Sequence, residues 1–104
     1  MEIKNVNIVN VKFDTEKSEG HWVNFIMEVI INGEYKFTCK ESRLFNEDYS
    51  EEVYGNINNY YQAAFEDWKK FINENLDLDY FKELIIDELL EDWEDINFED
   101  YLIR

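Results

Sequence analysis

Residues 22–40, WVNFIMEVIINGEYKFTCK, decide how the first half of this chain folds. Val23, Phe25, Met27, Val29 and Ile31 are apolar at every second position, the period of a half-buried strand. Asn32-Gly33 follows at once, and such a pair supplies the two positive-φ positions of a tight hairpin. The returning stretch alternates as cleanly, with Tyr35, Phe37 and Cys39 on one side and Lys36, Thr38 and Lys40 on the other. The register between the two strands stays open. A two-residue loop pairs Ile31 with Glu34 and Val29 with Lys36, which leaves the two apolar rows on opposite faces. A bulge shifts the pairing and unites them. In the first case both faces are partly apolar, one covered by helices and the other by a partner or a second copy of the chain.

On the N-terminal side, Ile3 to Phe13 is rich in Val, Ile and Asn with partial alternation, and reads as a third strand. The polar stretch Asp14 to Gly20 joins it to the hairpin. On the C-terminal side the period changes. Val53, Ile57, Tyr60, Tyr61, Ala64, Phe65, Trp68, Phe71 and Ile72 follow the 3-and-4 spacing of one buried helical stripe. Asp48 or Ser50 is its expected N-cap, with Glu51 and Glu52 at the positive end of the dipole. Asn73-Glu74-Asn75 interrupts the pattern. Asp77 or Asp79 then caps a second helix carrying Phe81, Ile85, Leu89, Trp93 and Ile96. So short a connection makes antiparallel neighbours. Residues 97–104 read as a short third helix capped by Asn97, with an added strand as the alternative. The expectation is one α+β domain over residues 1–104: a three-stranded antiparallel sheet, a helical hairpin and a short C-terminal helix.

The apolar fraction of 45 % with 17 % aromatics excludes a disordered tail. A single cysteine, Cys39, excludes an internal disulfide and fits a reducing cytosol. No stretch resembles a signal peptide or a membrane span. The unusual quantity is charge. Twenty-five acids against ten bases give −15, where a small domain carries a magnitude of about 2–8. Direct nucleic-acid binding is disfavoured, because a polyanion is met by Lys and Arg.

That charge is unevenly placed. Residues 1–40 hold six acids and five lysines; Glu74 to Asp100 hold twelve acids and one base, Lys82. On one continuous helix Asp79, Glu83, Asp87, Glu91 and Asp95 would form a row at four-residue spacing. Glu88 and Glu94 would widen it, while Leu84 and Asp92 sit on the wrong halves of the cylinder. Each like-charge pair at that spacing costs roughly 0.2–0.5 kcal/mol. Alternating Lys with Glu would give solubility without that cost, so the row is more easily explained by a basic partner. Drawn as one helix, the segment carries a charge about every 3.7 Å of its axis, near the roughly 3.4 Å of one DNA strand.

Chemical constellations are missing. His21 beside Trp22 reads as a packing residue and Cys39 as core filler. Asn73-x-Asn75-x-Asp77-x-Asp79 has the spacing of a calcium loop but puts Leu78 at the glycine position and Leu84 at the bidentate glutamate. No metal site, cofactor or enzymatic activity is implied. Tyr60, Tyr61, Trp68 and Trp93 read as core, and Asn58, Asn59 and Gln62 as solvated positions.

The hairpin Phe25 to Phe37 and the acids from Asp79 to Asp95, in a small and very acidic chain, resemble the phage-encoded DNA mimics. Among these the chain is most similar to anti-CRISPR proteins that occupy the DNA-binding channel of RNA-guided nucleases. The likeness covers architecture and charge, and extends to immunity proteins of nuclease toxins. It implies an inhibitor in the cytoplasm of a bacterial host cell that denies a basic nuclease its DNA, with Asp79, Glu83, Asp87, Glu88, Glu91, Asp92, Glu94 and Asp95 standing in for phosphates. An adaptor or subunit binding through an apolar sheet face is the reading from a different class.

Overall fold

Asn32 and Gly33 take φ of 54° and 69° in the computed structural model, the paired positive values of a type I′ turn. Glu34 N–H donates to Ile31 O across that turn at 3.1 Å. Glu34 is nevertheless one residue more than a two-residue loop needs. Ile31 therefore pairs with Tyr35, Val29 with Phe37 and Met27 with Cys39. The register that unites the two apolar rows is the one adopted. The structure describes residues 1–16, 18, 21–75 and 78–103.

Three antiparallel strands lie in the order β1 (Val6–Phe13), β2 (Trp22–Ile31), β3 (Tyr35–Leu44). The incomplete alternation of β1 has a local cause. Ile8 pairs with Val29 but Asn10 with Glu28, so Val9 is skipped. That bulge lets Val6 and Ile8 before it, and Val11 and Phe13 after it, all pack toward the core. The Asn32 side chain ties the chain start to the hairpin: its Oδ1 accepts from Lys4 N–H at 2.7 Å, and its Nδ2 donates to Glu2 O at 2.9 Å.

The first helix is not continuous. Gly55, at φ 82°, separates α1 (Glu51–Tyr54) from α2 (Ile57–Asn75). Asn56 caps α2, its Oδ1 accepting from Asn59 N–H at 3.0 Å, and Asn59 Nδ2 donates to Tyr54 O at 2.7 Å. Asn59 is thus a joint between two helices rather than a solvated position. Ser50 precedes α1 without a capping bond, and Asp48 is engaged by His21 Nε2 at 3.0 Å. The buried stripe starts at Tyr60. Val53 is 73 % exposed, and Ile57 and Phe71 are also exposed.

Both helical layers lie on the sheet face that carries the odd residues of β2. Phe25 meets the edges of Phe65 at 5.4 Å and Trp68 at 5.3 Å, seating α2. Such aromatic pairs add about 0.5–1.5 kcal/mol each beyond area burial. The second helix, α3 (Asp79–Leu89), packs over β3, and its Phe81 meets Trp68 at 6.1 Å. Asp79 is its first residue and no side chain caps it; Asp77 lies outside the described residues.

The tail combines the two expectations for it. Phe98–Tyr101 forms a single 3-10 turn after Asn97, whose side chain makes no capping bond. Leu102 then bridges Tyr35, and Ile103 N–H donates to Glu34 O at 2.9 Å. Phe37 stacks on Tyr101 at 4.4 Å, closing that end of the core. The molecule measures 47 × 28 × 24 Å. Among the described residues no helix is long and apolar enough to cross a membrane.

Candidate partner-binding surface

The acidic array does not sit on one rod. α3 ends at Leu89, and Leu90 takes the left-handed conformation at φ 57°, ψ 36°, its N–H donating to Ile86 O at 2.8 Å. Two forces end the helix there. Continuing would stack Glu91, Asp92, Glu94 and Asp95 at the negative end of the dipole, and the last turn holds no base to offset them. Ending also frees Trp93 and Ile96 to fold back into the core. Trp93 meets Phe98 at 5.0 Å, and its Nε1–H donates to Met1 O at 2.8 Å. The misfit of Asp92 on a continuous helical wheel is the sequence trace of this break. Leu84, the other misfit, is buried.

The eight candidate carboxylates fall into three groups. Asp79, Glu83 and Asp87 are exposed along α3 at four-residue spacing, about 6 Å of rise apart. Asp87, Glu91, Asp92 and Asp95 line, together with Ile86 and Leu90, a shallow groove of about 470 Å³. Glu94 is exposed in the 3-10 turn Trp93–Asp95 and does not line that groove. Glu88 stands apart: it is half-buried and near enough to Cys39 to add to the upward push on that thiol. Seven of the eight therefore present charge to solvent, along a bent path in place of the straight row.

The break also alters the energetics. Only Asp79–Glu83 and Glu83–Asp87 remain as helical like-charge pairs, a cost of about 0.4–1 kcal/mol. The charge spacing drawn for one long helix does not carry over to the folded chain.

None of the eight carboxylates is in an ion pair among the described residues; the pairs present join His21 to Asp48, Lys36 to Glu28, Arg43 to Asp67 and Lys70 to Glu74. Lys82, the one base between Glu74 and Asp100, places its ammonium 5.5 Å from the centroid of the Trp93 ring instead. The field reaches β3 as well. Glu41 is pushed upward from the ordinary carboxylate range, chiefly by burial, and the charge of Asp87 adds to the push while Ser42 N–H and Arg43 oppose it. Cys39 is pushed up to about 12, first by burial and then by Glu88, and is inert as a thiolate.

Leu90 is the functional candidate that the helical pattern concealed. It belongs to the apolar half of a continuous helix, yet it is 87 % exposed. A non-glycine residue in the left-handed region costs roughly 1–2 kcal/mol, and here it exposes a large apolar side chain at a groove that Asp87, Glu91, Asp92 and Asp95 also line. Protein interfaces combine such apolar contacts with polar ones.

His21 is structural: its Nδ1 lies 3.0 Å from Phe45 O and its Nε2 binds Asp48. Comparison with protein families, curated proteins and solved structures finds no match for this chain.

Proposed function

We propose that this chain is a DNA-mimicking inhibitor of the anti-CRISPR type, occupying the basic nucleic-acid-binding site of a nuclease. The observation that carries the reading is the unneutralised array from Asp79 to Asp95, with Lys82 turned away onto Trp93. A chain with only solubility to gain loses nothing by pairing such acids with lysines. Carboxylates held on a folded scaffold take the places of phosphates against Arg and Lys, and little ordering entropy is lost on binding. The groove adds an apolar contact at Leu90 and Ile86 that DNA lacks, which favours one basic protein over others.

The hairpin register weakens the reading from the other class. Tyr35, Phe37 and Cys39 belong to the covered face, which leaves Trp22, Ile26, Ile30 and Leu44 on the open one with Lys12, Lys36, Lys40 and Glu28. Ile26 lies between Lys12 and Lys40, and Ile30 beside Lys36, so charge interrupts the apolar side chains of that face.

The test is inhibition of DNA cleavage by a panel of purified RNA-guided nucleases and nuclease toxins, by wild type and by the triple variant E83K/D87K/E91K. Wild type blocks DNA binding by one of them, with affinity falling steeply as salt rises. The triple variant melts no lower and has lost inhibition. Full inhibition by that variant overturns the mechanism, and protection against a toxin alone assigns the immunity role.

A further inference from the structure

The hydrogen bond from Trp93 Nε1–H to Met1 O, 2.8 Å long, joins residues 92 positions apart. Trp93 is buried, and a buried indole N–H left without an acceptor suffers its full desolvation penalty. The seat of the indole therefore depends on where the Met1 carbonyl is held. Residues 1–5 belong to no strand or helix, so regular structure does not hold it. The side chain of Asn32 does. Its Oδ1 accepts from Lys4 N–H at 2.7 Å and from Asn5 N–H at 3.2 Å, and its Nδ2 donates to Glu2 O at 2.9 Å. Ile3 packs against the core between these bonds.

The hairpin tip also holds the far end of the segment that Trp93 opens. Leu102 bridges Tyr35, and Ile103 N–H donates to Glu34 O at 2.9 Å. Residues 93–103 are thus pinned twice, at one end through the chain start and at the other directly. Glu91, Asp92, Glu94 and Asp95 all lie within two residues of Trp93. Displacing the indole displaces the backbone that carries them.

We infer that Asn32 is a positioning residue for the acidic surface: through residues 1–5 it seats the Trp93 indole, and through the indole it places the carboxylates of residues 91–95. The coupling runs along a contiguous chain of hydrogen bonds and packed side chains. Its consequence for binding rests on the proposed function. Carboxylates already held in place lose little freedom against a basic protein, whereas loosened ones must be ordered on binding.

The experiment is hydrogen exchange by NMR on the intact chain, comparing wild type with Asn32→Gly and Asn32→Asp. Glycine takes the positive φ of position 32 without strain, so the turn survives while the three side-chain bonds are lost. Exchange of the Trp93 indole, and of the Asp95 and Ile96 amides that bond to Asp92 O and Trp93 O, quickens about tenfold. Met27 and Val29 in the central strand keep their wild-type rates. Asn32→Asp retains the acceptor for Lys4 and Asn5, and its rates fall between the other two. Unchanged exchange at the Trp93 indole in Asn32→Gly overturns the inference. Quickening spread evenly over the central strand does so too, since it marks a general loss of stability. Against a nuclease that wild type inhibits, Asn32→Gly binds about tenfold more weakly, and equal binding removes the positioning role. Failure of wild type to inhibit any nuclease overturns the proposed function instead, and the exchange rates still decide the coupling.

Discussion

The ammonium of Lys82 rests over the face of Trp93, 5.5 Å from the ring centroid, although carboxylates flank it along the same helix. The contact holds the 3-10 turn against α3 and leaves the acidic surface without a counter-charge. Lys82→Met keeps the aliphatic packing and removes the cation. Its expected effect is a loss of about 0.5–1 kcal/mol in thermal stability, with a faster association at low salt to a basic partner of the kind proposed. Calorimetry and stopped-flow association rates at two ionic strengths measure the two effects.

Leu90→Gly separates stability from recognition. Glycine takes the left-handed conformation without the penalty leucine carries, so the variant gains about 1 kcal/mol. It also takes the apolar side chain out of the groove, and inhibition falls by roughly tenfold, the range of a buried interface side chain. Thermal melts beside inhibition curves give both signs; equal inhibition with raised stability assigns Leu90 no part in binding.

Glu41 sets a pH dependence of known sign. Burial raises its carboxyl above the unfolded value, so the folded chain holds this proton more tightly than the unfolded one. The stabilising contribution is complete below the unfolded pKa and is lost as pH rises through the raised one. Melting temperature accordingly climbs as pH falls from neutrality into the carboxylate range. Glu41→Gln raises the neutral-pH melting temperature and flattens that slope. Melts across the range, wild type against variant, decide it.

Cys39 reports on global opening. It is fully buried and its thiol is pushed up to about 12, so labelling by a thiol reagent at pH 8 proceeds only through unfolding. The labelling rate of the native chain is expected to fall below that of the denatured chain by the folded-to-unfolded ratio. Above the free thiol's value of 9.0 the unfolded chain loses this proton first, and stability declines with rising pH. Parallel labelling and denaturation curves that disagree overturn this account.

The strands were legible because alternation over Val23 to Ile31 and Tyr35 to Cys39 is a short-range signal, and so was the change of period near residue 50. Register was not, since Glu34 is compatible with either side of the turn until the packing of Tyr35 and Phe37 is counted. Gly55 could be read as a break only by setting it against the eight apolar positions, Ile57 to Ile72, that continue the helical spacing beyond it. The end of α3 was harder. Leu89 and Leu90 look alike on a helical wheel, and what parts them is the pull of Trp93 toward Phe98 and Met1, partners that the wheel does not contain. The acids of the surface were legible as charge, but their gathering into a groove depends on that break.

Because Glu34 is supernumerary in the turn, β3 does not depend on it for its faces. Without it Tyr35 would follow Gly33 directly and still lie opposite Ile31, so Phe37 and Cys39 would stay beneath the helices. Sequences descended from this one are thus expected to hold Asn and Gly at the tip while position 34 changes its letter or disappears.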